Sequence, residues 1–414
     1  MTDRRAPLAD YQPPIDRTHA SMKTSIEVEY WVVDSDGNLT EPGPLAEVSE
    51  RTEQEFVEPL FELKTPPCES VAELRSALVT ELEDVLATAA EVDKHLVPLG
   101  TPINGDAIDR RPGERGRIQQ AVLGANFDYA KYCAGTHVHI EKRNVTDQLN
   151  ALIALDPALA LVNSSPYVRG ERIANGARAY CYRRKSYEGF PNHGQLWRYV
   201  ENVGQWHRRL EECYEEFENA ALEAGVEADA VERNFSPDDV VWTPVRLRDS
   251  MPTVEWRSPD AALPSQLLRL VDDLETVMER LHHTNVRIAD DGYGDGGDAG
   301  TTATAEADES DDGGSASPGE PGPGGHAGYV TSNGIVLPAF ETVWDLAETA
   351  MDAGLESTPV ANYLRRMGFS VGDYHPIATR VDGRQYVTQA DARELRLEYA
   401  SRLEEDVEEL RRLL

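Results

Sequence analysis

Ser25-Ile-Glu-Val-Glu-Tyr-Trp-Val-Val-Asp34 alternates acidic and apolar side chains through its first half. In an extended chain successive residues point to opposite faces, so Glu27 and Glu29 share one side while Ile26, Val28 and Tyr30 share the other. The same alternation recurs downstream. Glu62 and Lys64 oppose Phe61 and Leu63; His137, His139 and Glu141 oppose Val138 and Ile140; Glu255 and Arg257 oppose Val254 and Trp256. Five β-rich segments are expected, at 25–34, 59–65, 95–103, 134–141 and 240–258, the last a hairpin turning at Asp249-Ser-Met-Pro252. Helical patterns lie between them, at 70–95, 147–160, 195–224 and 264–287. Helices and strands do not alternate regularly, which argues against a doubly wound parallel sheet. The expected fold class is α+β: an antiparallel β-sheet with helices on one side. If the apolar faces lie under the helices, the polar faces line one cavity.

The chain has 414 residues, enough to bury a large core, and its 40% hydrophobic content is that of a globular protein. Acids number 74 against 40 basic residues, a net charge of −34. Only six of those basic residues are lysine. An acidic surface with arginine at the essential cation contacts suits concentrated salt, which shortens the range of self-repulsion. Such a charge disfavours general affinity for nucleic acid. Cys68, Cys133, Cys181 and Cys213 are widely spaced and read as reduced thiols rather than a disulfide framework or zinc knuckle. No apolar run approaches the roughly 20 residues of a membrane helix, and the first twenty residues carry no secretory pattern, so a cytoplasmic location is expected.

Residues 1–24 are expected to be irregular, 25–289 to form the main domain and 329–414 a helical part packing on it. Between them, 290–328 is Gly, Asp, Ala, Thr, Ser and Pro, and reads as an acidic disordered insertion. Thr388-Gln-Ala-Asp391 offers a capping box for a terminal helix carrying Leu395, Leu403, Leu410 and Leu414.

In a chain so rich in acid, a single Glu-Val-Glu or Glu62 is weak evidence, since a wet sheet face also alternates. Gly135-Thr-His-Val-His139 is sharper, because histidines number only ten. Several carboxylates and a histidine on neighbouring strands suit two or more magnesium ions held between nucleotide phosphates. Arg257, Arg246 and the cluster Arg178, Arg183 and Arg184 are candidates to complete the phosphate clamp. Two other classes compete: a zinc hydrolase using His137, His139 and Glu27 or Glu29 around an open position, and a non-catalytic acidic binding module.

The ordered series Ile26-Glu-Val-Glu-Tyr30, Phe61-Glu-Leu-Lys-Thr-Pro-Pro-Cys68, Gly135-Thr-His-Val-His139, Asn163-Ser-Ser-Pro166 and Pro252-Thr-Val-Glu-Trp-Arg257 resembles the glutamate–cysteine ligase type 2 family. That family includes the carboxylate–amine ligases and the haloarchaeal γ-glutamylcysteine synthetases. The resemblance spans about 25–273, and the lysine-poor acidity points to the haloarchaeal branch. It implies a glutamine-synthetase-like sheet and ATP-dependent joining of glutamate to cysteine through a γ-glutamyl phosphate. Another amine acceptor is the variant reading. It also implies metal acids at Glu27, Glu29, Glu62 and Glu255 with His137, and substrate or phosphate contacts at Arg257, Arg246 and Arg183. Lys64, His139 and Arg257 would face the nucleotide. Glu55 and Glu58 are both candidates for a further ligand. The partners implied are glutamate, cysteine and ATP, without nucleic acid or membrane; homo-oligomerisation is left open. The sequence departs from the family where Arg178-Ala-Tyr-Cys-Tyr-Arg-Arg-Lys-Ser186 replaces a Tyr-Arg-Ser stretch, and 290–328 has no counterpart.

Overall fold

Strand β1 (Thr24–Asp34) is the long central element of the computed structural model, which describes residues 22–105, 108–289, 328–331, 334–381 and 383–414. Its partners are β2 (Thr52–Gln54), β3 (Leu60–Lys64), β4 (Lys94–Val97), β5 (Thr136–Glu141), β6 (Val245–Leu247) and β7 (Thr253–Trp256). These form one seven-stranded sheet in the order β2-β3-β1-β5-β7-β6, with β4 also pairing β1, and every pairing is antiparallel. Eleven residues let β1 serve two partners along one edge: Thr24–Val28 pair with β5 and Trp31–Asp34 with β4.

The apolar face of β1 is sealed. Ile26, Val28, Tyr30 and Val32 are fully buried beneath α1 (Val71–Glu91), α3 (Val145–Leu155), α5 (Pro264–Leu281) and the terminal α8 (Gln389–Arg411). Burying one such side chain contributes about 1.5–3 kcal/mol, which fixes the register, because a one-residue slip would exchange the two faces. The other face changes character along the strand. Glu27 and Glu29 are only half-buried, whereas Trp31 and Val33, two and four residues further on, enter a second apolar cluster with Leu60, Val97, Leu99, Ile103 and Tyr399. Trp31 donates its indole N–H to the Leu99 carbonyl at 2.9 Å. The wet half of the sheet ends at Trp31. The α+β fold expected from the alternation is present.

Boundaries differ where prolines, glycine and polar residues interrupt the patterns. The strand expected over 95–103 stops at Val97, because Pro98 cannot donate to a ladder and Ile103 adopts a left-handed φ of 65°. α3 ends at Leu155 and tightens into a 3₁₀ segment at Asp156-Pro157. The 195–224 helix begins only at Val203, as α4 (Val203–Glu223), where the Asn202 side chain accepts the Gln205 amide. α5 stops at Leu281, and Asn285–Ile288 instead pairs in parallel with Gly334–Leu337. The Thr388–Asp391 capping box forms as expected. Helix α2 (Glu114–Leu123) and the short turn of helix at Ala228–Asn234 were not foreseen, whereas α6 (Phe340–Ala353) and α7 (Thr358–Arg366) lie within 329–414, the part expected to be helical. The acidic stretch 290–327 and the first 21 residues lie outside the described residues. No described helix is long and apolar enough to cross a membrane.

Candidate active site

Strand register decides which polar residues meet. Glu29 stands opposite Glu62, and Glu62 opposite Glu53; Glu27 stands between Lys64 on one side and His137 on the other; Glu255 stands between His139 and Arg246. Directly opposed residues have Cβ atoms about 4.5–5.5 Å apart. These nine side chains therefore form a continuous polar belt across the sheet. They face a cavity of about 820 Å³.

One side of the belt is acidic. Glu29, Glu55 and Glu62 bring one oxygen each to within 4.8 Å of one another. Glu27, Glu62 and His137 form a second such group, and Glu27, His139 and Glu255 a third. The charges are badly matched as they stand. Burial and the neighbouring charge of Glu55 push the Glu29 carboxyl up to about 8, although Arg178 and the Gly135 amide oppose this. Burial and the charges of Glu55, Glu27 and Glu29 likewise raise Glu62 well above the usual carboxylate range, against the pull of Lys64. Like charges opposed on a sheet are destabilising, so such a group is a liability unless a cation joins it.

The histidines face the acids. Glu27 Oε2 lies 3.2 Å from His137 Nδ1 and 3.5 Å from His139 Nε2. Burial lowers His137 to about 4, so its ring is uncharged near neutral pH. The contact with Glu27 then assigns the ring proton to Nδ1 and leaves Nε2 as an electron-pair donor. Burial would raise Glu27, but the adjoining His137 and His139 rings outweigh that and keep it ionised. His139 Nδ1 meets Thr253 Oγ1 at 3.1 Å, while its Nε2 is buried without a hydrogen-bond partner. A buried ring nitrogen that meets a carboxylate without a well-formed hydrogen bond fits a cation ligand. The donor sets, carboxylate oxygens joined in two of the three groups by one ring nitrogen, fit a hard divalent cation. No described group combines both histidines, which weakens the zinc-hydrolase arrangement expected from His137 and His139 together.

Toward the β7–β6 end of the belt the charge reverses. Arg257 Nε lies 3.0 Å from Glu255 Oε1, and Arg246 approaches the same carboxylate at 3.9 Å. Burial favours the neutral Glu255, yet Arg257, His137, His139 and Arg246 outweigh it and hold the group at about 2. Burial and the adjacent charge of Arg257 lower Arg246 to about 9. Guanidinium groups crowded together in this way present an anion site. Arg248 shares the cavity lining, and Arg110, Arg111 and Arg115 line it from a segment that begins beside Phe56.

Not every expected residue arrives. Arg183 is turned inward: it pairs with buried Asp156 at 2.7 Å and donates to Ser258 Oγ at 3.1 Å, because the π-helical turn Cys181–Ser186 directs Tyr182 rather than Arg183 at the cavity. Arg184 pairs with Glu348 and Asp352 of α6, outside the cavity lining. Lys64 lines the cavity but is engaged by Glu53 at 2.6 Å and Glu62 at 2.8 Å, so its ammonium acts as a counter-ion to acids rather than a free phosphate contact. Glu55 lines the cavity and Glu58 does not. The Asn163-Ser-Ser-Pro166 stretch is buried scaffold: Ser164 donates its amide to Asp260 at 2.9 Å. The sequence reading missed Glu53, Tyr182, Trp242, Arg248 and the arginines at 110–115. Four arginines within Arg110–Arg117 were a legible signal.

The Glutamate-cysteine ligase family 2 (GCS2) model matches residues 23–284. Among solved structures, the glutamate–cysteine ligase of Francisella tularensis in complex with AMP superposes with a TM-score of 0.54 at 12% identity, covering 95% of this chain and 90% of that one. A bifunctional glutathione synthetase from Pasteurella multocida gives a TM-score of 0.49 at 13% identity, over 93% of this chain and 53% of that one. The chain thus spans about half the length of that protein. No curated protein matches it significantly in sequence.

Proposed function

Because the chain belongs to Glutamate-cysteine ligase family 2, we propose that it uses ATP to join the γ-carboxylate of L-glutamate to the amine of L-cysteine, releasing ADP and phosphate. The observation that carries this reading is the single cavity in which Glu27, Glu29, Glu62, His137, His139 and Glu255 face Arg246 and Arg257. Acids toward one end of the belt and arginines toward the other suit a substrate that is an anion carrying its own cations.

The chemistry demands such a site. A carboxylate acylates poorly, since the amine would have to expel an oxide. Transfer of the ATP γ-phosphoryl group to a glutamate oxygen releases ADP and supplies phosphate as the leaving group. The cysteine amine then attacks the acyl carbon and phosphate departs. Glu27, Glu29, Glu62, Glu255 and His137 would hold magnesium, which when bound offsets the charge of the ATP phosphates. Arg257, held by Glu255, and Arg246 bind the anionic groups and orient the reacting oxygens. His137 stays neutral and so contributes a lone pair rather than a repelling charge. No enzyme nucleophile is required.

The net charge of −34 with six lysines supports operation in concentrated salt, and four buried free cysteines support a reducing cytoplasm. The test is ADP release from ATP and glutamate in high salt with magnesium, adding each amino acid in turn. Release that depends on cysteine is expected. Release with a different amine would keep the ligation chemistry and replace the acceptor. Turnover without ATP, or following zinc, would refute the reading.

A further inference from the structure

Tyr182 and Trp242 lie face to face in the cavity wall, with ring centroids 4.2 Å apart and planes 3° from parallel. Nothing fits between rings so close, so the guanidinium groups over them occupy the outer faces. Arg178 lies over Tyr182 at 5.3 Å and Arg257 over Trp242 at 5.6 Å. The four side chains make one column: Arg178, Tyr182, Trp242, Arg257.

The foot of the column is fixed. Arg178 is 1% exposed and donates Nη1 to the carbonyls of Arg257 and Ser258, at 2.9 and 3.2 Å. It also fills the space beside Gly135, where any Cβ would collide with the guanidinium. The column therefore begins and ends on the residues leaving β7. At its upper end Arg257 pairs with a carboxylate only through Nε to Glu255 among the described residues, leaving its terminal nitrogens for a ligand.

We propose that Trp242 is a positioning residue, whose ring, braced by Tyr182 and Arg178, holds the Arg257 guanidinium in the orientation that receives an anionic substrate group. A flexible arginine loses less freedom on binding when its plane is already set by a rigid ring and a carboxylate. The proposal rests on the ligase reading for the identity of the anion, but the contact itself does not.

The test is a cycle of Trp242→Leu, Arg257→Lys and the double variant, with Trp242→Phe as the conservative control. Each is measured for kcat and KM of cysteine-dependent ADP release and for thermal unfolding. Trp242→Leu should lower kcat/KM about tenfold, and Trp242→Phe, which keeps a ring face, should restore most of it. In the Arg257→Lys background the leucine change should cost less than about twofold further. An equal tenfold loss in both backgrounds would overturn the proposal, as would a phenylalanine variant no better than leucine. If the wild-type protein releases no ADP, the ligase reading fails, and additivity in unfolding decides the contact: additive midpoint shifts refute it and non-additive shifts support it.

Discussion

Glu29 and Glu62 stand directly opposite one another on β1 and β3, with Glu53 completing the row from β2. A sheet that opposes three carboxylates sacrifices stability where the site requires negative charge. That relationship has consequences for pH, for cation binding and for the roles of individual acids.

The first consequence concerns Glu29, raised to about 8 by burial and by Glu55. A carboxyl whose folded value exceeds its ordinary one binds its proton more tightly in the folded state. Its stabilising contribution is complete below about 4.5 and lost as pH rises through about 8. In chelator, the wild-type melting midpoint should fall between pH 6 and 9. Glu29→Gln cannot ionise and should lose less over that interval, while its turnover drops about 100-fold or more. Parallel melting curves for the two proteins would count against the assignment.

Cation binding should oppose that loss. Magnesium or manganese at about 100 times its dissociation constant should stabilise the wild type by roughly 2.7 kcal/mol. Glu62 belongs to two of the three ligand groups, so Glu62→Gln, which removes its charge, should respond weakly to the same ion in its melting midpoint. Equal cation-induced shifts would place the ion elsewhere.

Glu55 and Glu58 separate the site from its surroundings. Glu55 shares a ligand group with Glu29 and Glu62, whereas Glu58 lies outside the cavity lining. Glu55→Ala should weaken divalent-ion affinity about tenfold or more, and Glu58→Ala should leave it within about twofold. Titration of each variant by calorimetry reads both outcomes.

Arg183 is expected to matter for stability. Its partner Asp156 also accepts hydrogen bonds from Trp256 Nε1 at 3.2 Å and Ser258 Oγ at 2.5 Å. Removing the guanidinium leaves a buried, uncompensated carboxylate, so Arg183→Met should cost about 3–5 kcal/mol. Near-wild-type melting with a large rise in KM for ATP would instead make Arg183 a substrate contact.

Much of the architecture was legible because alternation is local. Glu27, Glu29, Glu62, His137 and Glu255 could be assigned to strand faces from period two alone, and the sheet brings those faces together. Which residues oppose one another depends on register, so the Glu29–Glu62 and Glu27–His137 pairings appear only in three dimensions. Pro98 and Pro157 are breakers visible in the sequence, and they fall just past the ends of β4 and α3. Arg183 misled because neighbouring arginines look alike in sequence, whereas a π-helical turn turns one inward and brings Tyr182 to the cavity. Trp242 carried no local signal: its significance lies in the rings and cations stacked on it.

The central claim is that acids and imidazoles from separate strands gather divalent ions where ATP phosphates bind. Anomalous diffraction from crystals grown with manganese and a non-hydrolysable ATP analogue tests it most directly. The account predicts manganese peaks within about 2.5 Å of ligand atoms from Glu27, Glu62, His137 and Glu255, with the analogue's phosphates between those ions and Arg257. Peaks confined to other acids, with phosphates bound away from this cavity, would contradict it.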